Sequence, residues 1–89
     1  MYNTLVMTNK LEIFKKKLIY RASYRGIKEM DILLGSFVSK YINQLDENSL
    51  LELENFLDFE DEIILNFYHH NKVEKKIDQN GISELFKNF

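Results

Sequence analysis

The sequence predicts an all-α fold, a compact single-domain bundle of about five short helices over residues 1–89. Three observations lead there. Proline is absent and there are only three glycines in 89 residues, whereas a β-rich chain would draw on both for its turns. Apolar residues recur at spacings of three and four through most of the length. The hydrophobic content of 45% suits a globular chain rather than a disordered one. A chain this short buries roughly 60–65% of its unfolded surface, enough for one thin core.

The first helix is expected over residues 8–23. Leu11, Phe14, Leu18 and Ala22 share one face, and Lys15, Lys16 and Lys17 crowd the other. The second is expected from about Gly26 to Asn43, with Ile27, Met30, Leu34, Phe37, Val38, Tyr41 and Leu45 in a nearly unbroken stripe. Asp46 is a good N-cap and opens a third helix through residue 58, with Leu50, Leu53, Phe56 and Leu57 inward. Asp58-Phe59-Glu60-Asp61 reads as a short acidic connection. A fourth helix covers about residues 62–70, and a polar stretch, HNKVEKKIDQNG, leads to a last amphipathic turn or two in ISELFKNF.

Several function classes are disfavoured. With no cysteine there is no disulfide framework and no thiolate metal site. His69 and His70 are adjacent, so on a helix they point about 100° apart and do not grip one metal together. They read instead as solvated residues that favour the helix terminus when charged. No serine sits in a nucleophile-elbow context, and so small a chain has little room for a pKa-tuning cleft. The expectation is therefore no enzyme, no catalytic residues and no metal. No apolar run approaches the roughly 20 residues of a membrane span, so no stable membrane insertion is expected. The first residues, MYNTLVMTNKLEIF, lack a secretory pattern, and the chain's first arginine is Arg21, so no Arg-rich mitochondrial presequence is expected. The expected location is a bacterial cytoplasm.

Charge is distributed unevenly. Residues 10–28 hold seven Lys/Arg against one acid, net +6, and residues 29–62 hold ten acids against one base, net −9. Nucleic acid calls for a sustained basic surface, so none is expected as a partner. A protein with complementary patches fits better, unless the charges merely solvate helix faces.

The start of the second helix raises its own question. Glycine in a helix costs about 1 kcal/mol relative to alanine, yet Gly26 stands in Arg25-Gly26-Ile27-Lys28-Glu29. Turning 100° per residue from Ile27, Arg25, Glu29, Ile32 and Ser36 fall on the outward face. An Arg25–Glu29 pair there would contribute little. Ile32 is an exposed hydrophobe beside a bare backbone, which suggests docking. Asp31 falls at the edge of the buried stripe and so needs a basic or hydrogen-bonding partner. Gly26 lies either in the first helical turn, where alanine would stabilise, or at a chain break between helices, where it is a C′ residue.

Arg25-Gly26-x-x-Glu29, preceded by a helix and followed by Met30-Asp31 and an Ile-Leu-Leu run, resembles the RGxxE motif of the succinate dehydrogenase FAD assembly factors. Leu45-Asp46 before an apolar helix resembles that family's third helix. Phe59-Glu60-Asp61 through Asn66-Phe67 resembles its acidic turn and the aromatic that follows. The resemblance is strongest over residues 10–70. It departs at Tyr24, where bacterial relatives commonly carry a basic residue, at Phe67, often tryptophan, and after residue 71. The resemblance implies a helical bundle that binds the flavoprotein subunit of succinate dehydrogenase, or of the similar fumarate reductase, and promotes covalent FAD attachment. FAD then belongs to the client, with no cofactor held firmly here and a monomeric chain when free. Arg25, Gly26, Glu29, Tyr24, Asp31 and Ile32 become the partner-binding residues, with Arg25 as a forked donor to the client. A membrane-surface binder using LEIFKKKLIY and a general or toxin-neutralising adaptor are the alternatives.

Overall fold

The computed structural model describes residues 2–89, and they are all helical or irregular, with no strand among them. Five α-helices run in the order α1 Tyr2–Ser23, α2 Lys28–Tyr41, α3 Glu47–Leu57, α4 Asp61–His70 and α5 Ser83–Lys87, with a single 3-10 turn at Ile77–Gln79. Helix α1 starts six residues earlier than the apolar periodicity predicts. The molecule measures 48 Å along its longest axis against 26 and 19 Å.

Leu18 and Ala22 of α1, Met30, Leu34, Phe37 and Val38 of α2, and Leu50, Leu53, Phe56 and Leu57 of α3 are all buried. Each large side chain so removed from water contributes about 1.5–3 kcal/mol before entropy is set against it. The α2 stripe differs from expectation at its ends. Ile27 is 49% exposed because it precedes the helix, and Ile42, absent from the predicted face, is buried at the helix end. Gly35 faces Ser23, and a Cβ there would stand 2.9 Å from the Ser23 Oγ and 3.4 Å from its Cα. That lack of a side chain is what lets α1 and α2 pack so closely.

The last twenty residues close the core. Phe86 of α5 packs edge-on to Phe37 with ring centroids 5.2 Å apart and lies 5.1 Å from Phe56 and 5.0 Å from Tyr68. Ile77 and Ile82 are buried beside it. The buried Ser83 hydroxyl donates to the Ile77 carbonyl. Asn80 Nδ2 donates to the Glu52 carbonyl at 2.8 Å, fastening the segment to α3.

Asp46 caps α3 as its sequence position predicts: its Oδ1 accepts from the Ser49 backbone N–H at 2.8 Å. That bond holds the carboxyl below its ordinary range. A depressed folded-state pKa stabilises above the ordinary aspartate range and is lost as pH falls through the depressed value. We therefore expect Asp46→Asn, which still caps while neutral, to melt nearly as wild type once acid has protonated Asp46. It should fall behind wild type as pH rises through the aspartate range and stay behind at neutral pH, as thermal melts at matched ionic strength will read.

Candidate functional site

The chain leaves α1 at Ser23 and enters α2 at Lys28, and the four residues between them hold the candidate site. The Tyr24 N–H donates to the Tyr20 carbonyl, ending α1, and the path then reverses. Asp31, in the first turn of α2, reaches back. Its Oδ1 accepts from the N–H of Arg25 at 2.6 Å and of Gly26 at 3.2 Å. Two successive N–H groups aimed at one oxygen form a concave anion cradle, which needs a residue on the left-handed side of backbone space. Gly26 meets that need with φ +100°. Asp31 thus has the hydrogen-bonding partner its sequence position requires, though the donors are backbone.

Gly26 is therefore a chain-break residue and not part of a helical turn. The expectation that alanine would stabilise it fails because φ +100° is open to glycine and strained for L side chains. Space is not the constraint: a Cβ built there meets nothing within 4 Å.

Arg25 also departs from expectation. It precedes α2, and its side chain is 12% exposed instead of facing outward. Its Nε donates to Asp61 Oδ1 at 2.5 Å, Nη1 to the Leu57 carbonyl at 2.8 Å and Nη2 to the Phe59 carbonyl at 2.7 Å. Leu57 is the last residue of α3, whose last turn has no basic residue, and Asp61 is the first of α4. The guanidinium thus satisfies carbonyls at the negative end of one helix and neutralises an acid at the start of the next. It is an internal bolt, and the forked donor is already engaged within the chain.

Glu29 does not pair with Arg25. Its Oε2 lies 2.8 Å from His69 Nε2, which ties the outer edge of α2 to the end of α4. Both side chains are about half exposed, so the contact contributes little to stability. Ile32 is 60% exposed and Tyr24 is 69% exposed, the latter against Tyr20 with centroids 4.7 Å apart. The structure thus joins Arg25, Gly26 and Asp31 in one bonded knot. Tyr24, Glu29 and Ile32 stand exposed around it. Asp61 and His69 are the members that sequence reasoning passed over. One signal pointed to Asp61: α3 ends in Leu-Asp-Phe-Glu-Asp, acids against its own negative pole, and so calls for a cation from elsewhere.

Two outcomes follow. Arg25→Met should destabilise by about 2–4 kcal/mol, since it leaves a half-buried carboxylate and two carbonyls without partners. Chemical denaturation measures this. Gly26→Ala should lose about 1–3 kcal/mol, while D-alanine introduced at position 26 by chemical ligation should fold as stably as glycine. An L-alanine variant as stable as wild type would refute the assignment of strain.

A family model described as flavinator of succinate dehydrogenase matches residues 16–89 of the chain. Among curated proteins, the mitochondrial succinate dehydrogenase assembly factor 2 of Scheffersomyces stipitis is 44% identical over 48 residues, covering 54% of this chain and 32% of that protein. The protein of that name from Dictyostelium discoideum is 37% identical over 59 residues, 66% of this chain and 42% of its own length. The one from Arabidopsis thaliana is 39% identical over 44 residues, 49% and 23% respectively. The match thus spans less than half the length of each of these relatives. No solved structure matches. The family match runs past residue 70 to the C-terminus, through the segment where the sequence resemblance fades. These names overturn the expected bacterial cytoplasm, since all three are mitochondrial proteins of eukaryotes. Targeting is read from separable segments, so a folded domain's composition carries no address.

Proposed function

The chain belongs to the family of flavinators of succinate dehydrogenase, and we propose that it is a non-catalytic assembly factor of a eukaryotic mitochondrion. It binds the flavoprotein subunit of succinate dehydrogenase, or of the similar fumarate reductase, and promotes covalent attachment of FAD. In its free state it is a monomer. The observation that carries this reading is the family match over residues 16–89, which spans the whole knot around Arg25 and the exposed residues it positions.

The helper's task is orientation: holding the client where its reacting groups align requires a rigid surface and no reacting groups of its own. Arg25 and Asp31 provide the rigidity. Gly26, exposed and without a side chain, lets a client backbone approach closely. Glu29 offers a carboxylate, and Tyr24 and Ile32 offer apolar contact. FAD itself stays with the client in this reading. The groove beside the knot, about 530 Å³, is lined by Asp58, Glu60 and Asp61 together with Arg21 and Arg25, and both arginines are already bonded to its carboxylates.

Glu29→Ala separates this role from stability. Its exposed side chain predicts a change within about 0.5 kcal/mol, while covalent flavin on a co-expressed flavoprotein subunit should fall severalfold. In-gel flavin fluorescence beside a thermal melt reads both. Full flavinylation by a Glu29→Ala protein of normal stability would remove Glu29 from the site.

A further inference from the structure

Glu29 and His69 meet although 40 residues separate them, with Glu29 Oε2 2.8 Å from His69 Nε2. Glu29 stands in the first turn of α2 and His69 in the last turn of α4. The end of α4 is a negative helix pole, which favours a donating imidazole there. The ring stands edge-on to Tyr68 with centroids 5.3 Å apart, and Tyr68 packs on Phe86 of the core at 5.0 Å. A line of contacts thus runs from the core through Tyr68 and His69 to the Glu29 carboxylate. Glu29 makes no other side-chain hydrogen bond or ion pair among the described residues, because Arg25, four positions earlier, is engaged with Asp61 and two carbonyls. Only one carboxylate oxygen is held. The side chain keeps 58% of its surface exposed, and Oε1 is left for a partner.

We propose that His69 is a positioning residue for the assembly-factor site: its Nε2 holds the Glu29 carboxylate so that Oε1 faces the flavoprotein subunit. The inference rests on the reading of Glu29 as a contact to that partner. An unheld glutamate on a helix surface samples several rotamers, and binding must freeze one of them. A carboxylate already held by its own chain costs a partner less to engage. The same contact contributes little to folding, since both groups are half-exposed, so its effect falls on binding and not on melting. A shielding role fits less well, because a carboxylate withheld from a partner would be covered by its own chain, and Glu29 is not. His70, exposed and about 100° further round α4, forms no ion pair among the described residues and serves as the control.

The test measures the affinity of the purified chain for apo flavoprotein subunit of succinate dehydrogenase, beside a thermal melt. The proteins are wild type, Glu29→Ala, His69→Ala, His69→Gln, His70→Ala and Glu29→Ala/His69→Ala. The proposal expects all of them to melt near wild type. His69→Ala should weaken the complex about 3–10-fold, the range for leaving one flexible side chain to be frozen on binding. His69→Gln, whose amide N–H also donates, should recover most of that loss, and His70→Ala should bind as wild type. In the Glu29→Ala background, removing His69 should cost nothing further. Losses that add in the double variant would make His69 a direct contact and overturn the positioning role. Tighter binding by His69→Ala would make it a shield, and a lowered melting temperature would make it structural; either overturns the proposal. If Glu29→Ala weakens binding and His69→Ala does not, the proposal falls and the assembly-factor reading stands. If wild type fails to bind the flavoprotein at all, both fall.

Discussion

Helix α3 ends with acids against the negative pole of its own dipole, and its final carbonyls have no basic residue nearby in sequence. Arg25 makes that ending stable by reaching across from the α1–α2 linker to the Leu57 and Phe59 carbonyls and to Asp61. One planar side chain with a fixed fork of donors thereby joins two interhelical connections, α1–α2 and α3–α4. A lysine could neutralise Asp61 but could not address three acceptors in one plane. Apolar faces set the pairing of α1 with α2 and the packing of α3 on α1; how the end of α3 and the start of α4 are pinned to the α1–α2 linker depends on the guanidinium.

Once Arg25 is fixed, the backbone around it has little freedom. Its N–H and that of Gly26 converge on Asp31, and the second of them is positioned by a positive φ. Gly26 accordingly serves shape before it serves contact. A substitution there disturbs the folded state and the surface together, so lost binding alone does not identify a contact residue. Glu29 and Ile32 are different, because they hang from a helix that the knot has already oriented.

The uneven charge along the chain also takes on a different meaning in three dimensions. Part of it cancels internally, as the end of the basic segment folds over the acidic turn: Arg21 meets Asp58 at 2.6 Å and Arg25 meets Asp61. Lys75 meets Glu60 at 3.1 Å from the other side. Lys10, Lys16, Lys17 and Lys28 of the basic segment and Glu47, Glu54 and Glu62 of the acidic one have no ion-pair partner among the described residues. Complementarity within the chain thus accounts for part of a pattern that read, in one dimension, as a surface for others.

Periodicity and capping chemistry determined the helical class, the order of elements, the inward residues of α1 and α3, those of α2 except at its two ends, and the cap at Asp46. Each of these depends on neighbours within four residues, and a helix repeats its geometry at that range. The same locality makes Asp31's need for a partner legible, because its angle on the helix is set by residues beside it. Sequence did not determine which partner, nor that Arg25 turns inward, that Gly26 takes φ +100°, or that Glu29 meets His69. The Arg25–Asp61 and Glu29–His69 contacts join residues 36 and 40 positions apart, and no local rule links them. The conformation of Gly26 follows from where Asp31 and Arg25 already are. Only the packed bundle brings the end of α3 under the α1–α2 linker, and that juxtaposition decides which side chains remain free for a partner.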